Sequence, residues 1–372
     1  MAEISTAPRS LLAVNGGSSS VKFALFTFGP QPALLGRQAI ATHGEAAIRQ
    51  MLAWIDQQAP PPAIAAIGHR IVHGGPLHRE PQPITAAVRA DLTRLVPFAP
   101  NHLPDEIALI DALAEHRPGV PQVACFDTAF HRDIPEVARR LPIPAAYDAR
   151  GIQRYGFHGL SCAFLMEELA RVAGEETSRG RVILAHLGNG SSVTAVRDGQ
   201  SIDTTMAFTP IGGVVMSTRS GDLDPGVMTY LARTDKLSAD ELEEMLSRQS
   251  GLRGISGTTG DMQQLLAGQE PAERQAVDSY VYSIAKAIGA LTAALHGLDT
   301  LVFSGGIGEH AAIVRERVCD AFRYLGVSLD TAANARHAPV ISTPASRVTV
   351  RVIPTNEELM IARAASRVIA RK

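Results

Sequence analysis

Short apolar runs alternate with amphipathic stretches along the whole chain. "AIAAIGHRIVHGG", "VPQVACFDTAF", "RVILAHLGNG", "TLVFSGGIG" and "RVTVRVIPTNEE" read as strands closed by turn or helix-start signals. Between them lie helical patterns with recognisable ends. Ser238 and Glu241 form a capping-box pair, and Gly251 is expected to close the helix they open. "AVDSYVYSIAKAIGALTAALHG" is apolar nearly all round, which predicts a buried central helix. "AAIVRERVCDAFRYLG" should stop at Gly326, and Asn356 should cap the terminal helix "EELMIARAASRVIA". Strands and helices in alternation predict α/β layers, with helices on mixed or parallel sheets.

One pattern occurs twice. In "LLAVNGGSSSVKFALF", residues 11–26, two apolar runs flank six small polar residues; "RVILAHLGNGSSVTAV", residues 181–196, repeats the arrangement. Placing Ser20-Val21 on Ser192-Val193 aligns both strands and both turns, 172 residues apart. Glycine and serine fill turns everywhere, so coincidence competes with a duplicated fold carrying one phosphate-binding hairpin in each half.

Composition narrows the choice. A chain of 372 residues allows two domains, and 45 % apolar with 19 % charged residues is ordinary for a globular protein. The net charge of −2 offers no basic field for nucleic acid or an anionic membrane, so phosphate binding must come from local arginines and backbone amides. The first residues lack the pattern of a signal peptide, and no apolar run is long enough for a membrane span. Cys125, Cys162 and Cys319 form no close pair, which suits buried thiols in a reduced, cytoplasmic setting.

The candidate chemistry sits where the strand patterns end. In "VNGGSSSVK", glycines permit a tight turn while hydroxyls and amides face one concavity; Asn15 can hold a metal-bound water and Lys22 a phosphate. Arg70 lies among apolar residues and glycine between His69 and His73, which favours an inward guanidinium over a surface charge. Asp127 follows an apolar strand, where open α/β sheets place function, although a turn-capping role explains it equally. Phe157 and His158 pair an apolar wall with a polar tip, and Asn189-Gly190 is a hairpin signal beside His186. Arg219 is embedded in "TPIGGVVMSTRSGDLDPG", a stretch without periodicity, with Asp222 and Asp224 after it. Gly306, Gly308 and Ala311 fit a dinucleotide-binding spacing, but too little chain follows for such a domain, so a nucleotide-phosphate or adenine loop fits better than NAD. Glu357 opens the last helix, as a first-turn acid or as a magnesium-shell carboxylate.

Taken in order, Asn15–Lys22, "HRIVHGG", "FDTAFH", "YGFHG", "HLGNG", "TPIGGVVMSTRSGDLDP", "SGGIGE" and "IPTNEEL" closely resemble the acetate kinase family and its propionate kinase relatives, over nearly the whole chain. The resemblance implies an α/β fold of duplicated ribonuclease H-like (actin-like ATPase) domains with an active-site cleft between them. Residues 1–131 plus 357–372 would form one domain and residues 132–356 the other. It places the magnesium positions on Asn15 and Glu357, manganese being the alternative ion, and the acid-binding arginine on Arg70. Asp127, His158 and Arg219 take the catalytic positions, and Val72, Phe157 and Pro210 the acyl pocket. Nucleotide contacts fall on Ser18, Ser20 and Lys22; on His186, Leu187, Gly188, Asn189 and Gly190; on Asp261, Met262 and Gln263; and on Gly306, Ile307, Gly308, Glu309 and His310. The implied reaction is direct in-line phosphoryl transfer between ATP and acetate or another short carboxylate, giving ADP and an acyl phosphate. The implied assembly is a homodimer that binds neither nucleic acid nor membrane.

The chain departs from the family pattern at four places. Pro100-Asn101-His102-Leu103-Pro104 stands where Pro-Leu-His-Asn-Pro is usual, Gly212 replaces a glutamate, Gln263 an arginine, and His310 an asparagine. The competing readings are a nucleotide-binding homologue without turnover and a sugar kinase of the same superfold. Intact Asn15, Arg70, Asp127, His158, Arg219 and Glu357 speak against the first. Arg70 speaks against the second.

Overall fold

The computed structural model describes residues 9–17, 20–42, 44–58 and 64–371. The chain forms two compact units: Met1–Phe130 with Gly159–Phe164 and Asn356–Lys372, and His131–His158 with Leu165–Thr355. The first therefore collects three separate stretches of chain.

Its sheet contains β1 (Ser10–Gly16), β2 (Val21–Thr27), β3 (Leu34–Ile40), β4 (Ile64–Ile71), β5 (Gln82–Pro83) and β6 (Gln122–Phe126), in the order β3-β2-β1-β4-β6-β5. β1 and β2 form an antiparallel hairpin, β3 adds antiparallel to β2, and β4 and β6 continue in parallel on the other side of β1. Alternation along β1 explains the layers. Leu11 and Ala13 face a cluster with Val123, Met360, Ile361 and Ala365; Leu12 and Val14 face one with Met51, Ile55, Leu109 and Leu113. A strand apolar on both faces needs a helix on each. The terminal helix Glu357–Ala370 covers one face; Gly44–Gln58 and Leu103–His116 cover the other.

The second unit repeats this plan with β7 (Val182–Leu187), β8 (Ser191–Arg197), β9 (Gln200–Thr204), β10 (Thr300–Ser304) and β11 (Thr349–Val352), ordered β11-β10-β7-β8-β9. Again the first two strands form an antiparallel hairpin, the third adds antiparallel, and two parallel strands follow on the far side. Five strands match in order and direction, β3-β2-β1-β4-β6 against β9-β8-β7-β10-β11, and among the described residues only the two-residue β5 lacks a counterpart, so the glycine-serine repeat marks a true duplication of an α/β fold. The turns differ in length: Gly16 pairs with Val21 and leaves residues 17–20, whereas Leu187 pairs with Ser191 and leaves 188–190.

Three helix expectations need correction. The helix with the Ser238–Glu241 capping box does not run on to Gly251. Ala239–Glu244 passes into a π-helical turn, Met245–Gln249, and Gly251 opens the next helix, Gly251–Ser256. Gly251 has φ +63, and a Cβ there would lie 2.2 Å from the Met216 carbonyl oxygen, so the position is set by close approach of that loop. The long helix Pro271–Leu295 is not buried all round. Tyr280, Ile284, Ile288, Leu291 and Leu295 pack inward while Tyr282 is 67 % exposed. The start at Asn356, whose side chain accepts from the Leu359 amide, agrees with the sequence, but the helix expected to stop at Gly326 ends earlier: Ala312–Asp320 gives way to a separate 3-10 turn, Arg323–Leu325, which Gly326 (φ +84) closes. The three cysteines are buried and in no disulfide, and no helix among the described residues is long and apolar enough to cross a membrane.

Candidate active site

The first unit brings four of the expected residues together at the carboxyl ends of its central strands. Asn15, buried near the end of β1, donates through Nδ2 to Glu357 at 2.8 Å and to Glu358 at 2.9 Å. That arrangement commits the amide nitrogen and leaves the Asn15 oxygen as the atom suited to a cation or its water. Arg70, near the end of β4, donates through Nε (2.9 Å) and Nη2 (2.6 Å) to one oxygen of Asp127, and through Nη1 (2.6 Å) to the carbonyl of Gly16. Asp127 follows β6, held by its own amide on the Ile71 carbonyl, and is fully buried. It is therefore more than a turn cap.

The electrostatics follow from this packing. Burial alone would weaken the hold of Arg70 on its proton, but the charges of Asp127, Glu357 and Glu106 outweigh it and push its pKa up. Burial raises the Asp127 pKa, Arg70 opposes, and Glu357 adds to the rise. The second oxygen of Asp127, Oδ1, is buried without a hydrogen-bond partner. Asp127, Glu357 in its field and the Asn15 amide oxygen all offer hard oxygen donors. No three His, Cys, Asp or Glu among the described residues could hold a metal by themselves.

In the second unit, His158 sits just before the helix Gly159–Ala173 in the left-handed region (φ 57), a conformation that costs a non-glycine residue energy and collects at functional sites. Its Nδ1 bonds to the Ser192 hydroxyl at 2.9 Å, and its ring stacks on His186 with centroids 4.3 Å apart. Buried His131 fixes the turn from behind, one ring nitrogen on the Phe157 carbonyl and the other on Ser201, both at 2.9 Å. Burial holds the His131 pKa down to about 4, so the ring is neutral there. Arg219 reaches the same place from an irregular loop, its Nη1 3.2 Å from the Pro210 carbonyl. Gly190 marks the convergence: a Cβ on it would lie 3.2 Å from His158 Nε2 and 3.3 Å from Arg219 Nη1.

The loop that carries Arg219 is built by its own polar groups. Asp222 accepts from the Gly213 amide at 2.7 Å, and Asp224 caps the helix Pro225–Thr234 through the Gly226 amide. Asp222 and Asp224 hold structure.

The expected nucleotide residues divide by exposure. His186 and Leu187 end β7 and Gly188–Gly190 forms the β7–β8 turn, while Gly306–His310 lies in the short helix after β10, the strand beside β7. The two glycine segments touch: a Cβ on Gly188 would lie 3.9 Å from the Gly306 nitrogen, and one on Gly306 would meet nothing within 4 Å. Glu309 turns inward to accept from the amides of Gly305 and Thr355. Leu187 and Met262 are in the core, and Ile307 packs on it. Asp261 caps the helix Met262–Ala267, and Gln263, His310 and Lys22 are exposed. Val72 and Phe157 are each 1 % exposed, and Pro210 is buried. Asn101 is exposed, whereas Leu103 is fully buried. Ser18 lies outside the described residues, and Ser20 closes the first turn by accepting the Gly17 amide.

Sequence reasoning missed Glu358, Ser192, His131 and Glu106. Glu358 adjoins a residue already singled out. Glu106 left one trace: it is an acid inside the apolar stripe Leu103, Ile107, Ile110, Leu113 of its helix.

Residues 33–363 match a model described as the Acetokinase family. The chain belongs to that family. An acetate kinase from Rhodopseudomonas palustris (strain ATCC BAA-98 / CGA009) is 43 % identical over 384 residues, covering 95 % of this chain and 96 % of that relative. Among solved structures, Porphyromonas gingivalis acetate kinase superposes with a TM-score of 0.86 at 33 % identity, covering 97 % of this chain and all of that one. A propionate kinase from Francisella tularensis subsp. tularensis SCHU S4 gives 0.89 at 34 % identity, with the same coverage.

Proposed function

We propose that this acetokinase-family chain catalyses reversible phosphoryl transfer between ATP and acetate, with ADP and acetyl phosphate as the other pair. The observation that carries the acid side is Arg70. A guanidinium has five N–H donors, and Arg70 spends three, on Asp127 and Gly16. One N–H remains on each terminal nitrogen, and a pair of that kind takes a planar carboxylate bidentately. Val72, two residues on and buried, supplies an apolar neighbour for the acyl methyl.

Each group then has a definite task. A short carboxylic acid has a pKa near that of a glutamate side chain, about 4.3, so it is ionised at neutral pH and no base is needed. Arg70 orients the anion, and Asp127 orients Arg70. In the second unit, Arg219 and His158 present N–H groups towards a glycine-cleared space, where charge on a transferring phosphoryl is stabilised. The adjoining glycine turns at Gly188 and Gly306 suit a nucleotide's phosphates. Magnesium, with manganese as substitute, would neutralise phosphate charge; Asn15, Glu357 and Asp127 are the residues suited to hold it. The reading includes a homodimer, on family resemblance alone.

The likeness to both an acetate and a propionate kinase makes the acid the point to test. Acyl hydroxamate should be measured with acetate, propionate and butyrate, each with ATP, GTP and pyrophosphate as donor. Highest kcat/KM for acetate with ATP is the expected outcome. A preference for propionate would move the chain to the second reading, and no product with any acid would sink both.

A further inference from the structure

Glu106 is a buried carboxyl in the field of Arg70 to which the reaction above assigns no task. It lies in the first turns of the helix Leu103–His116, 3 % exposed. Both carboxyl oxygens face the Val72 amide, at 3.0 and 3.2 Å. Its Cγ would lie 3.7 Å from a Cβ placed on Gly16, the residue whose carbonyl holds Arg70. Glu106 therefore bonds the backbone of Val72, the neighbour assigned to the acyl methyl, and lies close to Gly16, whose carbonyl holds the guanidinium.

We propose that Glu106 is a positioning residue for the acid substrate: it fixes the Val72 amide and serves as a neutral carboxyl, so that acid binding requires its proton to stay on. The proposal rests on the assignment of the acid to Arg70. A carboxylate at Glu106 would compete with the substrate anion for the field of Arg70, and two anions cannot share one cation without cost. Burial supplies the neutral form. It lifts the Glu106 pKa to about 8, against the pull of Arg70 and the Val72 amide and with help from Asp127 and Asp105. Those are the groups that face it: Arg70 from β4, Asp127 from the end of β6, and Asp105 from its own helix.

The sign is fixed. Below about pH 8 the carboxyl is neutral and the acid binds well; above it Glu106 ionises and acid affinity falls. By reciprocity the bound acid raises the proton affinity of Glu106, so binding near pH 8 takes up protons. Acetate and Arg70 do not change charge in that window.

The test is the KM for acetate from pH 6.5 to 9.5 in wild type, Glu106→Gln and Glu106→Leu. In the wild type it should rise roughly fivefold or more between pH 7 and 9, with kcat changing less. Glu106→Gln keeps an acceptor for Val72 but cannot titrate, so its KM should stay within about twofold. Glu106→Leu loses the acceptor and should show a raised KM at every pH. The KM for ATP should follow the same course in all three. Parallel acetate profiles in wild type and Glu106→Gln would overturn the proposal while leaving the Arg70 assignment standing. Absence of acyl phosphate from the wild type at every pH would remove that assignment, and this proposal with it.

Discussion

Gly190 is open to substitution on conformational grounds, since its φ is not in the left-handed region, yet a single methyl there would press on His158 Nε2 and Arg219 Nη1 at 3.2 and 3.3 Å. Both side chains would have to give way by a few tenths of an ångström; since misplacement of about 1 Å in groups that stabilise a transition state costs on the order of a hundredfold, a shift of this smaller size costs roughly severalfold. Gly190→Ala should therefore lower kcat severalfold while thermal stability stays within a few degrees. An unchanged kcat in steady-state assays would show that His158 and Arg219 act elsewhere. The residues legible beforehand were those whose surroundings in sequence already looked odd: Arg70 between apolar neighbours, Arg219 in a loop without period, Asp127 past a strand. Glu106 was not legible, because its task is defined by the Val72 amide, 34 positions away. His131 escaped for the same reason. Its partners Phe157 and Ser201 come from a distant turn and strand.

At the scale of elements, two buried histidines tie the folds to pH. His69, on β4, bonds to Gln122 on β6, and burial lowers its pKa to about 4; His131 is lowered to about 4 in the second unit. An unfolded histidine takes its proton near pH 6.5, so between about 6.5 and 4 the unfolded chain binds protons that the native chain refuses. Stability is full above that window and falls as pH drops through it, by up to about 3 kcal/mol for each histidine. Denaturant unfolding at pH 7.5 and 5 should show a smaller loss for His131→Gln than for the wild type. Equal losses would mean that His131 is protonated in the folded state. The elements themselves were read from period and punctuation, and the hairpin repeat proved to be the seed of two matched sheets. What failed were joints. The π turn at Met245–Gln249 and the start at Gly251 are set by the Met216 carbonyl, a tertiary neighbour that local spacing does not encode. The face of Pro271–Leu295 that bears Tyr282 looked apolar because tyrosine counts as apolar in a periodicity.

For the whole molecule, the decisive fact is that the first unit is discontinuous. Residues 165–355 supply most of the second unit, and by sequence position a chain ending at Thr355 loses only a tail. It would in fact lose Met360, Ile361, Ala362, Ala364 and Ala365 from one face of the first sheet, with Glu357 beside Asn15. Even the two largest of these side chains, Met360 and Ile361, bury about 1.5–3 kcal/mol each, against a total stability of order 5–15 kcal/mol. Truncation after Thr355 should abolish cooperative unfolding of the first unit, seen as loss of amide protection in β1 and β4, while β7 and β10 stay protected. Protection retained in β1 would show that the terminal helix is dispensable. The same arrangement orders events during synthesis. Ribosomes deliver about 5–20 residues per second, so β1 and its Asn15 emerge first yet wait for the final fourteen-residue helix to cover them. A segment made early is thus completed by one made more than 300 residues later, and a product that stops short of Glu357 lacks both that cover and the Glu357 carboxylate.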